Sequence, residues 1–142
     1  MFGKLDRTKF EVFAFGLSPT DGSRVLANIY DACNEFYFVR GMPSLGIAEL
    51  INSAQVHILI DLNGYTDGGR LEVMALGPAA VSVNYLGYPY TLSLQGVDYV
   101  LTDRIATPPE HMSCFKEKAA LLPNTYMVND YRCQTTSRIS MP

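Results

Sequence analysis

The most constraining feature of this 142-residue sequence is the run Val56 to Leu62 (VHILIDL), broken at once by Asn63-Gly64-Tyr65-Thr66-Asp67-Gly68-Gly69. A short, nearly continuous apolar run that does not alternate reads as a strand buried on both faces, the signature of a parallel sheet. The Gly- and Asn-rich cluster after it must be a sharp turn.

The rest of the chain alternates in the same way. Phe10 to Phe15 and Glu35 to Val39 mix aromatic and β-branched residues and are expected as strands. Arg24 to Cys33 carries Val25, Leu26, Ile29 and Ala32 at helical spacing. Ile47, Leu50, Ile51 and Ala54 form one face of a second helix ending near Gln55. Leu71 to Leu76 is a third, short helix stopped by Gly77-Pro78. Ala79 to Tyr85, Val97 to Leu101 and Lys118 to Leu122 are further strands, and a loop or helical turn begins at Thr107-Pro108-Pro109. Strands alternating with helices, and Gly-rich loops after strands, predict an α/β fold with a mainly parallel sheet. From Gln134 to Pro142 no periodicity remains, so residues 134–142 are expected to be a disordered tail beyond a domain of residues 1–133.

Composition narrows the class. An apolar content of 48% supports one packed domain, and the chain has the length for one. A formal net charge of −3 with scattered Lys and Arg argues against a nucleic-acid binder, which would show a basic stripe. Neither a membrane span nor a secretory leader is legible, so a cytoplasmic protein is expected, with no membrane partner. Cys33, Cys114 and Cys133 are too widely spaced for a zinc motif and odd in number, and read as reduced cysteines at packing positions. The two histidines, His57 and His111, support no metal site; His57 is expected as a hydrogen-bonded core residue and His111 in a surface loop.

Two loops could carry chemistry, because ligands of open α/β sheets gather beyond the carboxyl ends of the strands. In the first, Asn63, Gly64, Tyr65, Thr66 and Arg70 combine close backbone approach, neutral donors and one cation, which suits hydroxyl-rich or phosphate-bearing ligands. The same residues also fit a tight turn that only caps the next helix. In the second, Leu86-Gly87-Tyr88-Pro89 and Tyr90 place aromatic rings around a fixed backbone, able to stack on a sugar or simply to turn the chain. Neither loop is a P-loop or a GxGxxG dinucleotide fingerprint. Signatures of covalent catalysis are also missing.

The ordered succession HILIDLNGYTDGGR, ALGPAAVSVNYLGYP, VDYVLTDRIATPPEH and EKAALLPNTYMVNDYR resembles the catalytic region of O-GlcNAc-transferase-like proteins, the group that includes SPINDLY. The resemblance runs from about Phe10 to Arg132. It implies the N-terminal lobe of a two-lobed GT-B glycosyltransferase, with a nucleotide sugar held between Rossmann-like lobes. It further implies inverting transfer of GlcNAc from UDP-GlcNAc to Ser or Thr of a protein acceptor, with no metal and no cofactor. On the matching positions Leu86, Gly87 and Pro89, with Tyr88 between them, would lie beside the donor sugar and the incoming acceptor, while Asn63, Gly64, Tyr65, Thr66 and Arg70 would line the cleft, Tyr65 and Arg70 shaping its acceptor side. No residue of this chain is assigned as the general base.

The resemblance implies a second, C-terminal lobe and tandem helical repeats as partners, so the isolated chain is expected to be inactive; a nuclear location would fit a eukaryotic source. Two positions depart from the pattern: Asp67 stands where the family usually has Lys, and Tyr90 where it usually has Gly. The alternatives are fucosyl transfer from a GDP-sugar, as in SPINDLY-type members, and a non-catalytic remnant or binding module with the same fold.

Overall fold

The computed structural model describes residues 2–128, so Cys133 and the expected tail at 134–142 lie outside the described residues. Nine regular elements follow in chain order: β1 (Phe13–Gly16), α1 (Arg24–Asp31), β2 (Glu35–Phe38), α2 (Ser44–Ser53), β3 (Ile58–Asp61), α3 (Leu71–Ala75), β4 (Val81–Tyr85), β5 (Tyr99–Asp103) and β6 (Lys118–Leu122). Single 3-10 turns cover Phe2–Lys4 and Pro109–Cys114. Every strand pairing among the described residues is parallel: β1 with β2, and β3, β4, β5 and β6 side by side in sequence order. The expected α/β, mainly parallel architecture is therefore present, divided into a two-stranded and a four-stranded sheet.

Helix α2 joins the two sheets. Its Ile47, Ala48 and Ile51 are buried together with Val39 and Val73, and Phe15, Tyr37 and Leu59 from three strands pack against that cluster. Burial of an isoleucine side chain of this kind contributes about 2–3 kcal/mol. A second cluster of Met74, Leu92 and Val97 sits beneath α3, and Leu59 touches both. Leu92 belongs to the segment joining β4 to β5, where an irregular crossover supplies the buried side chain that a helix would otherwise provide. Ser23 caps α1 by accepting from the Leu26 N–H at 3.1 Å, which explains the helix start at Arg24.

One expectation is reversed. The VHILIDL run is not covered on both faces: β3 is an end strand of its sheet, and Ile58 and Ile60 are 55% and 45% exposed. Leu59 turns to the helices while its neighbours turn to the bare face, because adjacent side chains in a strand point oppositely. The strand buried on both faces is β4, where Ser82, Val83, Asn84 and Tyr85 are all buried between β3 and β5. Its sequence, VSVNY, hides that status because Ser82 and Asn84 look like solvent-facing residues.

Candidate functional site

β3 and β4 run the same way, so the segments after them emerge at one edge of the sheet. After β3, the Asp61 carboxylate accepts from the N–H of Gly64 at 2.6 Å and from that of Asn63 at 3.4 Å, folding the chain back on itself. Gly64 has a φ of +59°, a left-handed conformation that glycine takes without penalty. The Thr66 hydroxyl donates to the Asn63 carbonyl at 2.8 Å, and the Tyr65 hydroxyl reaches across to the Leu92 carbonyl at 2.9 Å.

After β4 the backbone turns more tightly still. The Gly87 N–H donates to the Tyr85 carbonyl at 2.9 Å, and the enclosed Leu86 has a φ of +69°. That combination is a γ-turn of the rare, positive-φ kind, strained by roughly 1–3 kcal/mol for a residue other than glycine. Fully buried Asn84 holds the turn from below, its Nδ2 donating to the carbonyls of Tyr88 at 3.1 Å and Tyr90 at 3.0 Å. Asn84 Oδ1 and Ser82 Oγ are buried without a hydrogen-bond partner.

Beyond Tyr90 a buried carboxylate takes over. Glu117, 4% exposed, accepts from the Thr91 hydroxyl at 2.6 Å and from the N–H groups of Leu92 at 2.9 Å and Ser93 at 3.0 Å. The turn is thus fixed at both ends by polar groups shut away from water, where hydrogen bonds are least replaceable.

The two turns converge. A Cβ on Gly87 would lie 1.8 Å from the Leu62 carbonyl oxygen, and one on Gly64 would lie 2.3 Å from the Tyr88 Cβ. Gly87 therefore rests against the Leu62 backbone and Gly64 against the Tyr88 side chain, and both glycines are required by that closeness. The direction in which a Gly87 side chain would point is filled by Leu62, so only its backbone is open to a ligand. Above the seam the rings of Tyr65 and Tyr88 meet edge to face at 5.3 Å, and Tyr88 and Tyr90 do so at 5.8 Å. Tyr65 and Tyr90 are 58% and 65% exposed, Tyr88 half-buried.

Asn63, Gly64, Tyr65, Thr66, Leu86, Gly87, Tyr88 and Pro89 are thus brought together at one edge. Arg70 is engaged elsewhere: its Nη2 donates to the Met42 carbonyl at 3.1 Å and the Ser44 hydroxyl at 2.6 Å, and its Nε pairs with Glu72 at 3.0 Å. Arg70 ties the start of α3 to the start of α2. Glu72 titrates below its ordinary value, held down by its backbone N–H, the Ser44 hydroxyl and Arg70.

The remaining sequence candidates lie apart. His57 is not a core residue; it is exposed at the amino end of β3, beside a shallow recess lined by Asn52, Gln55 and Pro78. The reversal follows from β3 beginning at Ile58, two residues later than expected, which leaves His57 in the approach to the sheet. His111 is exposed in a 3-10 turn. Cys33 is half-buried, and desolvation raises its thiol pKa; Cys114 is exposed, so packing does not account for it. Among the described residues no three His, Cys, Asp or Glu side chains gather as metal ligands, and no helix is long and apolar enough to cross a membrane.

Three polar anchors escape a reading of the sequence: Asn84, Glu117 and Asp103. Asp103 is 3% exposed and accepts from the N–H groups of Ile105, Ala106 and Tyr126, at 2.8, 2.8 and 2.7 Å. Those donors, Ala106 first, hold its carboxyl below the ordinary range. The one signal available was a polar residue inside or beside each apolar strand.

With that geometry in view, comparison with known proteins is informative. The pattern of glycosyl transferase family 41 matches residues 1–138. A probable UDP-N-acetylglucosamine–peptide N-acetylglucosaminyltransferase (SEC) of Arabidopsis thaliana is 39% identical over 93% of this chain, and the corresponding enzyme of Caenorhabditis elegans is 38% identical over 91%. A probable SPINDLY enzyme of Oryza sativa subsp. japonica is 34% identical over 63%. The chain spans 14%, 11% and 10% of the lengths of these relatives. In three dimensions a mutant of the Thermobaculum terrenum O-GlcNAc transferase superposes with a TM-score of 0.84 at 24% identity, covering 88% of this chain and 24% of that one; at that identity the likeness concerns the fold.

Proposed function

Because the chain belongs to glycosyl transferase family 41, we propose that it forms the sugar- and acceptor-facing wall of a protein O-GlcNAc transferase, supplied with UDP-GlcNAc as donor and Ser or Thr hydroxyls as acceptors. The observation that carries this reading is the convergence of the turns after β3 and β4 on one edge of a parallel sheet, where ligands of such sheets bind. The edge offers aromatic faces, free backbone and neutral side chains, which suit a sugar ring and an extended acceptor. Within the turn after β3, Arg70 is engaged by Glu72, Ser44 and Met42 rather than turned to a diphosphate.

On this reading the nucleotide is held by a C-terminal lobe, and tandem helical repeats recruit acceptors. The chain alone does not turn over. Its contribution is positioning: a rigid edge orients the acceptor oxygen against the anomeric carbon, the kind of effect that accounts for several kcal/mol of barrier reduction. Leu86, Gly87, Tyr88 and Pro89 face the sugar, and Asn63, Gly64, Tyr65 and Thr66 the acceptor. Arg70 acts indirectly, by holding α2 and α3 together. On this reading the reaction calls on no metal and takes place in the cytosol.

The test is a chimera in which this sequence replaces the matching segment of the Arabidopsis SEC relative. Transfer of GlcNAc from UDP-GlcNAc to a Ser-containing peptide is the expected result, and GDP-fucose serves as the competing donor. A folded chimera that transfers neither sugar, while the parent does, sinks the proposal.

A further inference from the structure

Glu117 is tied to the turn after β3 by a path that anchoring residues 91 to 93 does not call for. The path is the peptide joining Leu92 to Ser93. Its N–H, on Ser93, donates to Glu117 Oε1 at 3.0 Å, and its carbonyl, on Leu92, accepts from the Tyr65 hydroxyl at 2.9 Å. One planar unit therefore stands between a buried carboxylate and an exposed ring, hydrogen-bonded at both ends.

Such a peptide is a conductor of polarisation. A negative charge at its N–H end pushes electron density through the resonant C–N bond toward the carbonyl oxygen. That oxygen becomes the stronger acceptor, and hydrogen bonds in series reinforce one another where the local dielectric is low. Glu117 is shut away from water, which leaves its field at the peptide little screened. Among the described residues no Lys or Arg pairs with it, so N–H and hydroxyl donors carry its compensation.

The surroundings hold the peptide in one orientation. The Leu92 N–H reaches the same Oε1 at 2.9 Å, and two successive N–H groups meet one oxygen only where the chain curls. Ser93 supplies the curl with a φ of +52°, a left-handed conformation that costs a residue other than glycine. The Ser93 N–H is shared with Thr91 Oγ1 at 3.0 Å, which also accepts from the Lys116 N–H at 3.3 Å, while the Thr91 hydroxyl donates to Glu117 Oε2. Strain of this kind persists where neighbouring bonds over-determine it, and it gathers at functional sites. Glu117 itself stands directly before β6, so the far end of the path is fixed to the sheet.

We infer that Glu117 is a positioning residue for sugar transfer, acting through the Leu92–Ser93 peptide to fix the Tyr65 side chain on the acceptor side of the edge. It touches no substrate. Its role in transfer rests on the proposed function, whereas the coupling of carboxylate to tyrosine rests on the hydrogen bonds alone. Coupling between two groups is reciprocal. Removing the Tyr65 hydroxyl must therefore weaken the bond from Ser93 to Glu117, just as removing the charge must weaken the bond from Tyr65 to Leu92.

The test has two arms. In the full chain without nucleotide sugar, Tyr65→Phe keeps the ring and removes the hydroxyl bond. Amide exchange at Ser93 should then accelerate about threefold, with the amides of β5 unchanged. In the chimera with the Arabidopsis SEC relative, Glu117→Gln keeps an acceptor oxygen for the two N–H groups and removes the charge. It should raise the KM for the Ser-containing peptide about fivefold and leave the KM for UDP-GlcNAc alone. Adding Tyr65→Phe to it should change little more, because both variants cut one path. Unchanged Ser93 exchange, a wild-type peptide KM in a folded Glu117→Gln chimera, equal rises in both KM values, or additive losses in the double variant would each overturn the inference. The exchange arm needs neither the Gln variant to fold nor a donor to be present. An unmodified chimera that transfers no sugar therefore sinks the sugar-transfer reading, while Ser93 exchange still decides the coupling.

Discussion

Substituting Gly87 by alanine tests whether the two turns form one rigid edge. The added Cβ would sit 1.8 Å from the Leu62 oxygen, 2.7 Å from the Leu62 carbonyl carbon and 3.1 Å from the Asn63 Cα. A carbon needs at least about 3.0 Å from such an oxygen, so the turns must part by more than about 1 Å. The obstacle is backbone, so no side chain can swing aside. Gly87 is not in the left-handed region, which leaves contact as the cost and torsional strain out of it. Overpacking of this severity costs about 2–3 kcal/mol, equivalent for a chain of this length to a fall in Tm of roughly 7–10 °C.

The assay is thermal and urea unfolding followed by far-UV circular dichroism, since the chain has no tryptophan. Contacts between the Tyr65 and Tyr88 rings are read by NMR. Both Gly87→Ala and Gly64→Ala press on the same seam, so the double variant should lose clearly less than the sum of the two. Wild-type stability in Gly87→Ala, with the Tyr65–Tyr88 contact intact, would refute the convergence and with it the site.

Other perturbations separate the anchors. Glu117→Ala strips three donors of their acceptor and should cost about 3–5 kcal/mol, with amide exchange accelerating first at Leu92 and Ser93. Exchange there no faster than in wild type would discount the carboxylate. Arg70→Ala should cost only about 1–2 kcal/mol through the lost Ser44 and Met42 bonds, and should loosen α3 against α2 while leaving the Tyr65–Tyr88 ring contact in place. Loss of that ring contact in the variant would tie Arg70 to the edge itself. Asp103 carries a pH signature: its carboxyl is held low in the folded state, so its contribution is fully present above about pH 4 and vanishes as pH falls through the folded value. Asp103→Asn should therefore flatten the acid limb of stability against pH, and an unchanged limb in that variant would contradict the assignment. Asp6 and Asp21 also titrate low, so their Asn variants serve as exposed controls.

Periodicity and punctuation in the chain carried the order of elements, because amphipathic spacing and Gly–Pro breaks act within a few residues. Lys118–Leu122 appears where the sequence places it, and α1 starts at Arg24 because Ser23 caps it locally. The two candidate loops were legible for the same reason, as breaks after apolar runs. Which strand would be buried was not legible. VHILIDL is the more apolar run, yet β3 ends its sheet with one face open, while the polar-looking VSVNY lies in the middle. Burial depends on strand order, a relation between segments far apart in the chain that no local pattern encodes. The same holds for Glu117, 24 to 26 residues from the groups it anchors, and for Arg70, whose partners at Met42 and Ser44 come from a different helix start. Local chemistry chose the turns; only the packing of β3 against β4 made them one edge.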